Sequence, residues 1–398
     1  MKSLVRKLKM TIKPYIIELN RVVSRKQRIV TKYNYHVIGA SNYNSFFGYY
    51  DCSPFCPTDE NVVAYISGND NRKAASIHLY NIMTKKDLIV GETNCWNWQQ
   101  GCRLRWLPNE KKQIVFNDFN GKSYFSRIIN AQGETIDSYP WPLYDVDSAF
   151  TLGATTNFTK LGYLRPGYGY TLTPFTKDSM EDAAISIVDL KMKEVVKTIS
   201  YEQINNLFEE KVSGSENYYI NHLSFSPDGS KLLFFIIKID HGFHQASLCV
   251  YDIKTMKLLL LEAEMKVSHY VWEDNNTIIC TAYDKNYKCR YYRYNCHSSK
   301  GVLIDIPELC QDGHPQMFKN GKMLTDTYPD KNGYQKLFVV DLKSGATQII
   351  SLLFSTPFMA GEKRTDLHPR ISQSASYICV DSNNKGKRQL IVFSHVQK

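Results

Sequence analysis

A histidine recurs four times at one place in a repeated pattern: in Asn221–Gly229 (NHLSFSPDG), Ser268–Asn275 (SHYVWEDN), Gly313–Gly321 (GHPQMFKNG) and Leu367–Ser374 (LHPRISQS). Each is followed by a short apolar stretch, a polar turn and a β-rich run. A period of roughly 45 residues, each unit reading as several short strands, is the pattern of β-propeller blades, since a sheet that small buries its faces only against neighbours. Equivalent positions in successive blades face one axis, so His222, His269, His314 and His368 should converge. Clustered imidazoles repel one another unless they are neutral or bound to a cation.

The turn after each histidine extends the pattern towards the N-terminus, through Ser53-Pro54, Leu107-Pro108 and, more loosely, Asp145–Ser148. The axial ring then reads Tyr49, Arg103, Trp141, His222, His269, His314 and His368. The expected fold is an all-β, seven-bladed propeller with blades at 36–90, 95–139, 140–200, 217–262, 265–305, 310–351 and 364–398, the third being the least regular. The last blade is one strand short, and Tyr33–Gly39 is expected to complete it, which would leave no open edge. The domain boundaries are therefore a basic segment, 1–30, and a propeller, 31–398.

Residues 1–30 contain nine Lys and Arg against one acid, Glu18, a local excess of +8 out of +10 for the whole chain. Leu4, Leu8, Ile12, Tyr15, Ile16, Leu19 and Val23 recur between them at helical spacing, interrupted by Pro14, which predicts a short basic amphipathic helix. Such a helix can lie on an anionic membrane; a solvated tail and a helix packed on the propeller are the alternatives. Nucleic acid is not an expected partner, because the basic excess is local. No apolar run has the length of a membrane span, and no secretory signal is recognisable. The ten cysteines form no CxxC pair, and Cys249, Cys280 and Cys379 lie in apolar strands, which fits buried thiols in a reducing cytoplasm. The expected location is cytoplasmic, with peripheral attachment to the inner membrane face through residues 1–30.

The segments Phe47–Pro54 (FGYYDCSP), Gln99–Pro108 (QQGCRLRWLP), Leu164–Tyr170 (LRPGYGY), Asp326–Asp330 (DTYPD) and Asp366–Arg370 (DLHPR) resemble the seven-bladed propellers related to oligogalacturonate lyase, including relatives associated with polysaccharide gene clusters. In that lyase a histidine acts as base beside an arginine, and manganese is held by three histidines and a glutamine. The resemblance implies that His222 is the base and that His269 and His368 are ligands of a divalent metal, manganese in the lyase. Asp366 stands two residues before His368, in place of the first histidine of the lyase's paired ligands, and its glutamine has no clear counterpart.

β-Elimination from a uronic acid removes a weakly acidic proton, which takes a neutral base and a cation or proton donor to stabilise the charge building on the carboxylate. His222 is the candidate base, with Arg103 and Arg165 as candidate catalytic cations. Tyr49, Tyr50, Arg105 and Arg370 are candidate substrate contacts. His269, His314 and His368 form either a metal group or a neutral hydrogen-bonded ring. His241 and His244 occupy a turn, where solvent exposure or a place at the pocket edge are both open. The expected partner is an acidic oligosaccharide or a lipid-linked glycan. Three function classes follow: a lyase acting on a uronate-containing glycan or its precursor; a non-enzymatic glycan-binding or assembly propeller; and a transferase or hydrolase acting on lipid-linked sugars in surface polysaccharide biosynthesis.

Overall fold

The computed structural model describes residues 2–69, 73–175, 183–208, 218–240, 242–298 and 300–394, with the side chains of 2–11 and 240 left aside. His241 lies outside the described residues. The short β-rich runs pair into seven antiparallel sheets, the blades of a propeller. Blade one is built from Asn44–Phe46, Asp59–Gly68, Ala75–Asn81 and Asp87–Thr93, and blade two from Arg105–Trp106, Ile114–Phe119, Tyr124–Ile129 and Thr135–Tyr139. Blade three opens at Asp145–Val146, blade four at Tyr218–Phe225, blade five at Lys266–Trp272, blade six at Gln316–Met317 and blade seven at Arg370–Ile371. The residues in or just before these opening strands lie on the axis.

Ring closure is as the sequence predicts. Tyr35–Ile38 pairs antiparallel with Gln389–Ser394 as the outermost strand of blade seven, so blade one starts at Asn44 and not at 36. A second N-terminal strand, Ile29–Thr31, adds to blade six by pairing with Thr347–Phe354, and the expected boundary at residue 30 falls inside it. The helix Lys2–Val23 runs through Pro14.

Blade three corrects the ring. Trp141 does not reach the axis: it packs in an apolar cluster with Leu107, Val115 and Leu143 between blades two and three. The axial position belongs to Tyr144, whose hydroxyl accepts the His222 backbone N–H at 2.9 Å. Asp145–Val146 is the opening strand and not part of the turn, so the axial position lies three residues further on than the turn count from Asp145 predicts. Between the second and third strands of this blade, Leu152–Thr156 and Ala183–Asp189, an insertion carries the helix Phe158–Leu164, capped by Asn157 accepting from Lys160 N at 2.8 Å. The loop that follows needs its glycines. Gly169 has φ +61, and a Cβ there would collide with Phe158 O and Gly162 N.

Where the axial positions of blades one to three hold no histidine, buried ion pairs join neighbours. Arg103 makes a bidentate pair with Asp51 at 3.0 and 2.9 Å and donates through Nε to Tyr144 O. Arg105 pairs with Asp145, which also accepts the Phe225 backbone N–H at 2.7 Å. Arg370, 1% exposed, pairs with Asp381 at 2.9 Å and donates to Gly48 O and Tyr49 O, sealing blade seven to blade one.

Candidate active site

The four histidines converge. Ring centroids are 4.0 Å apart for His269 and His314, 4.6 Å for His314 and His368, and 6.2 Å for His222 and His269. Tyr49 packs between His222 and His368, at 5.4 and 4.8 Å, and its hydroxyl lies 3.5 Å from His222 Nε2. Tyr50 packs on His314 at 5.2 Å, and its hydroxyl accepts Tyr270 N–H. All four histidines are buried.

Local backbone geometry aims these side chains. The opening strands of blades four and five shift register at Asn221/Ser224 and Val267/Tyr270, bulges that turn His222 and His269 towards the axis. His222, His368 and Arg103 all have positive φ, at 60°, 46° and 55°. A left-handed conformation at a non-glycine residue costs on the order of 1–3 kcal/mol, and its recurrence at equivalent positions marks one shared local design.

Three histidines have their tautomer fixed by an acceptor. His269 Nδ1 donates to Asp312 at 3.0 Å, His314 Nδ1 to Asp326 at 2.9 Å, and His368 Nδ1 to Gly48 O at 2.8 Å. Each Nε2 is thereby left to act as a ligand or acceptor, the arrangement by which proteins orient metal-binding imidazoles. His314 Nε2, His368 Nε2 and Asp366 Oδ2 are buried without a hydrogen-bond partner. Ligand atoms of these three residues all lie within 4.8 Å of one another. Asp366 Oδ2 has Arg364 at 3.0 Å, an ion-pair contact that lacks hydrogen-bond alignment. Two imidazoles and a carboxylate suit a first-row divalent ion. His269 stands beside this group but is not one of the three.

Burial sets the protonation of the ring. It is the largest influence on His222, which is held well below the ordinary histidine value, with His269 and His314 adding to the effect. His269 and His368 are lowered, again chiefly by burial. For His314 burial is again the largest single influence and acts downward, yet Asp326, Asp366 and Asp312 together outweigh it and the net direction is up. Asp312 shows the converse: burial would raise it, but His269, Ser268 and Thr281 hold it below the carboxylate range.

A cavity of about 120 Å³ opens above the ring, lined by Tyr49, His222 and His269 and by the cations Arg165, Lys266 and Arg364. Arg165 and Tyr168 come from the blade-three insertion, and Arg364 from the loop entering blade seven. Tyr219, Tyr328 and His244 also line it, and the Tyr219 hydroxyl lies 3.0 Å from His244 Nδ1, which places His244 at the pocket edge. Three sequence candidates are committed elsewhere. Arg103 and Arg370 spend their guanidinium groups on buried carboxylates and carbonyls, and Arg105 lines a separate hollow with Cys52, Phe55 and Trp106. Tyr50 is 1% exposed and supports the ring from behind. Lys266 and Arg364 were missed. Nothing in their neighbourhoods marks them, although Arg364 lies two residues before Asp366, a position the resemblance already singles out.

No family model and no curated protein matches the chain. Solved structures do. An oligogalacturonate lyase in complex with manganese superposes with a TM-score of 0.65 at 14% identity, covering 92% of this chain and 94% of that one. The oligogalacturonate lyase from Vibrio parahaemolyticus gives 0.62 at 13% identity over 93% and 98%. The tricorn protease follows at 0.51 and 11% identity, covering 90% of this chain and 36% of that one. At these identities the likeness is one of fold.

Proposed function

We propose that this chain, which shares the propeller fold of the oligogalacturonate lyases, is a carbohydrate-active lyase that cleaves a uronate-containing glycan by β-elimination. One observation carries the reading: a buried histidine held neutral, His222, shares a mouth with three cations, Arg165, Lys266 and Arg364. Elimination breaks the C5–H bond, forms a C4–C5 double bond and expels the C4 oxygen. His222 accepts the proton while the cations hold the carboxylate on which negative charge builds. The departing oxygen takes its proton from water at the open mouth. A base with a lowered pKa is a weak one, so the reaction depends on that charge compensation.

His314, Asp366 and His368 are the residues that would hold a divalent ion, and their orphaned buried atoms fit one. A divalent ion held there would supply a Lewis acid. The chain's own contribution is to fix each ring through Asp326 and Gly48 and to keep the group dry. The cavity, about 120 Å³, is below the roughly 300–1,000 Å³ usual for small-molecule sites, which favours the end of a glycan over a polymer threaded through the channel.

The test is a panel of uronate oligosaccharides followed by the absorbance of the unsaturated product. A product formed by the wild type and not by His222→Ala is expected. A saturated product would move the assignment to a hydrolase or transferase, and binding with no product would leave a glycan-binding propeller.

A further inference from the structure

The helix Lys2–Val23 presents two unlike faces. One docks on the propeller. Ile17 packs over Gly333, Arg21 lies over the Phe354 ring at 5.4 Å, and Glu18 pairs with Arg21 and Arg28 at 2.8 and 2.6 Å. Arg28 donates to Asn384 O and Tyr334 donates to Gln27 O, which fixes the chain leaving the helix. On the opposite face Ile12, Tyr15, Ile16, Leu19, Val22 and Val23 form a stripe at helical spacing, each between 44% and 73% exposed. Phe358 extends the stripe onto the propeller, 5.2 Å from Tyr15 and itself 53% exposed.

Within residues 1–30 the charge flanking this stripe has one sign. Lys13, Arg25 and Lys26 are exposed, and Glu18, the single acid among the first 30 residues, is consumed by two arginines on the docked face. An apolar ridge flanked by cations is the surface that an anionic bilayer recognises, since the ridge enters the acyl boundary while lysine and arginine meet the headgroups.

Its position gives the surface a consequence for the pocket. Gly333 lies in the turn between the second and third strands of blade six, and Phe354 ends the fourth. The loop from Phe354 to Arg370 carries Phe358 at the helix, then Arg364 in the pocket lining and Asp366 and His368 in the buried histidine group. The apolar ridge and the pocket mouth therefore share one end of the propeller. We infer that the face Ile12–Val23 with Phe358 binds an anionic membrane surface and holds the mouth against it, which selects a lipid-linked glycan as substrate. The membrane contact stands independently of the lyase reading; only the identity of the glycan rests on it.

The experiment uses the full chain and vesicles that contain no glycan, so failure of the tether and failure of the lyase reading are separate results. Wild-type protein should sediment with phosphatidylglycerol-containing vesicles, weakly with pure phosphatidylcholine, and less as salt rises. Ile16→Glu with Leu19→Glu should reduce partitioning about tenfold or more while leaving the thermal midpoint unchanged, and Phe358→Ser should reduce it less. Equal binding by variant and wild type, or no binding by wild type, overturns the inference. A wild-type dimer that Leu19→Glu converts to monomer, without vesicle binding, overturns it too and assigns the face to a second copy of the chain. Orientation is read with brominated lipids. Tryptophan placed at Phe358 should be quenched beyond the wild-type level, and tryptophan placed at Met256, in a turn at the other end of blade four, should not; equal quenching refutes a mouth turned to the membrane.

Discussion

Arg103 divides the sequence-based expectation from the structural one, and the difference can be measured. Its side chain and that of Asp51 are only 2% and 6% exposed, and the pair is bidentate. Asp51→Leu leaves a buried guanidinium without a counter-charge, a loss of about 3–5 kcal/mol. With an unfolding entropy of roughly 2.1 cal/mol/K per residue, the 398-residue chain has about 0.8 kcal/mol/K, so the midpoint should fall by about 4–6 °C. Arg103→Met should cost a similar amount. The double variant Arg103→Met with Asp51→Leu removes both charges and should recover most of the loss, because a buried pair replaced by apolar groups of similar size is often close to neutral. Differential scanning calorimetry reads the cycle, and uronate cleavage is measured on the same four proteins. The structural role requires the double variant to keep most of its turnover. A stable double variant without turnover would refute it and return Arg103 to the catalytic group, as would single variants that melt within about 1 °C of wild type.

His222→Ala should abolish unsaturated product while leaving glycan affinity and the thermal midpoint nearly unchanged, since its contribution is made in the transition state; unchanged turnover would reject it as the base. With its pKa well below 6.5, His222 stays neutral as the pH falls through 6.5, so kcat/KM should decline only in more acidic buffer, and an acid limb at or above 6.5 contradicts the assignment. The same depression means that the unfolded chain binds the proton more readily, so below 6.5 this one group removes up to about 1.4 kcal/mol of stability per pH unit until its folded pKa is reached; equilibrium denaturation across that range checks the sign. Asp366→Ala and His368→Ala should each lower the manganese bound after dialysis, by elemental analysis, whereas His269→Ala should lower it less. Truncation before Gly39 removes the strand that closes blade seven and should destabilise far more than truncation before Tyr33; equal midpoints would show that Tyr35–Ile38 does not close the ring.

The propeller was legible because its repeat is physical. Each unit must supply the same alternation of strand and turn to stack on its neighbours, so the histidines and the turns after them recur in register, and the strand that blade seven lacks stands out. Blade three was misaligned because its opening strand, Asp145–Val146, begins with an aspartate that reads as the start of the turn, which shifts the count by three residues. The strand Ile29–Thr31 was invisible for a different reason: it is only three residues long and pairs with an edge in blade six, over 300 residues away.

The site was half legible. Equivalence within the repeat brought four histidines to one axis, and that inference needs only the symmetry of the ring. It could not tell which arginines are free. Arg103, Arg105 and Arg370 sit at repeat positions and read as anion contacts, but a position near the axis is also where a buried carboxylate is nearest, and Asp51, Asp145 and Asp381 take them first. The cations that do face the cavity, Arg165, Lys266 and Arg364, the last also paired with Asp366, come from an insertion, a strand start and a long loop, where the repeat imposes little. The ring thus divides its labour: buried arginine–aspartate pairs hold blades one, two, three and seven together near the axis, while the irregular segments above them supply the charge. Substrate preference should accordingly follow the Leu164–Tyr170 and Phe354–Arg370 segments more than the blades, and the second of these is also the segment that meets the amphipathic helix.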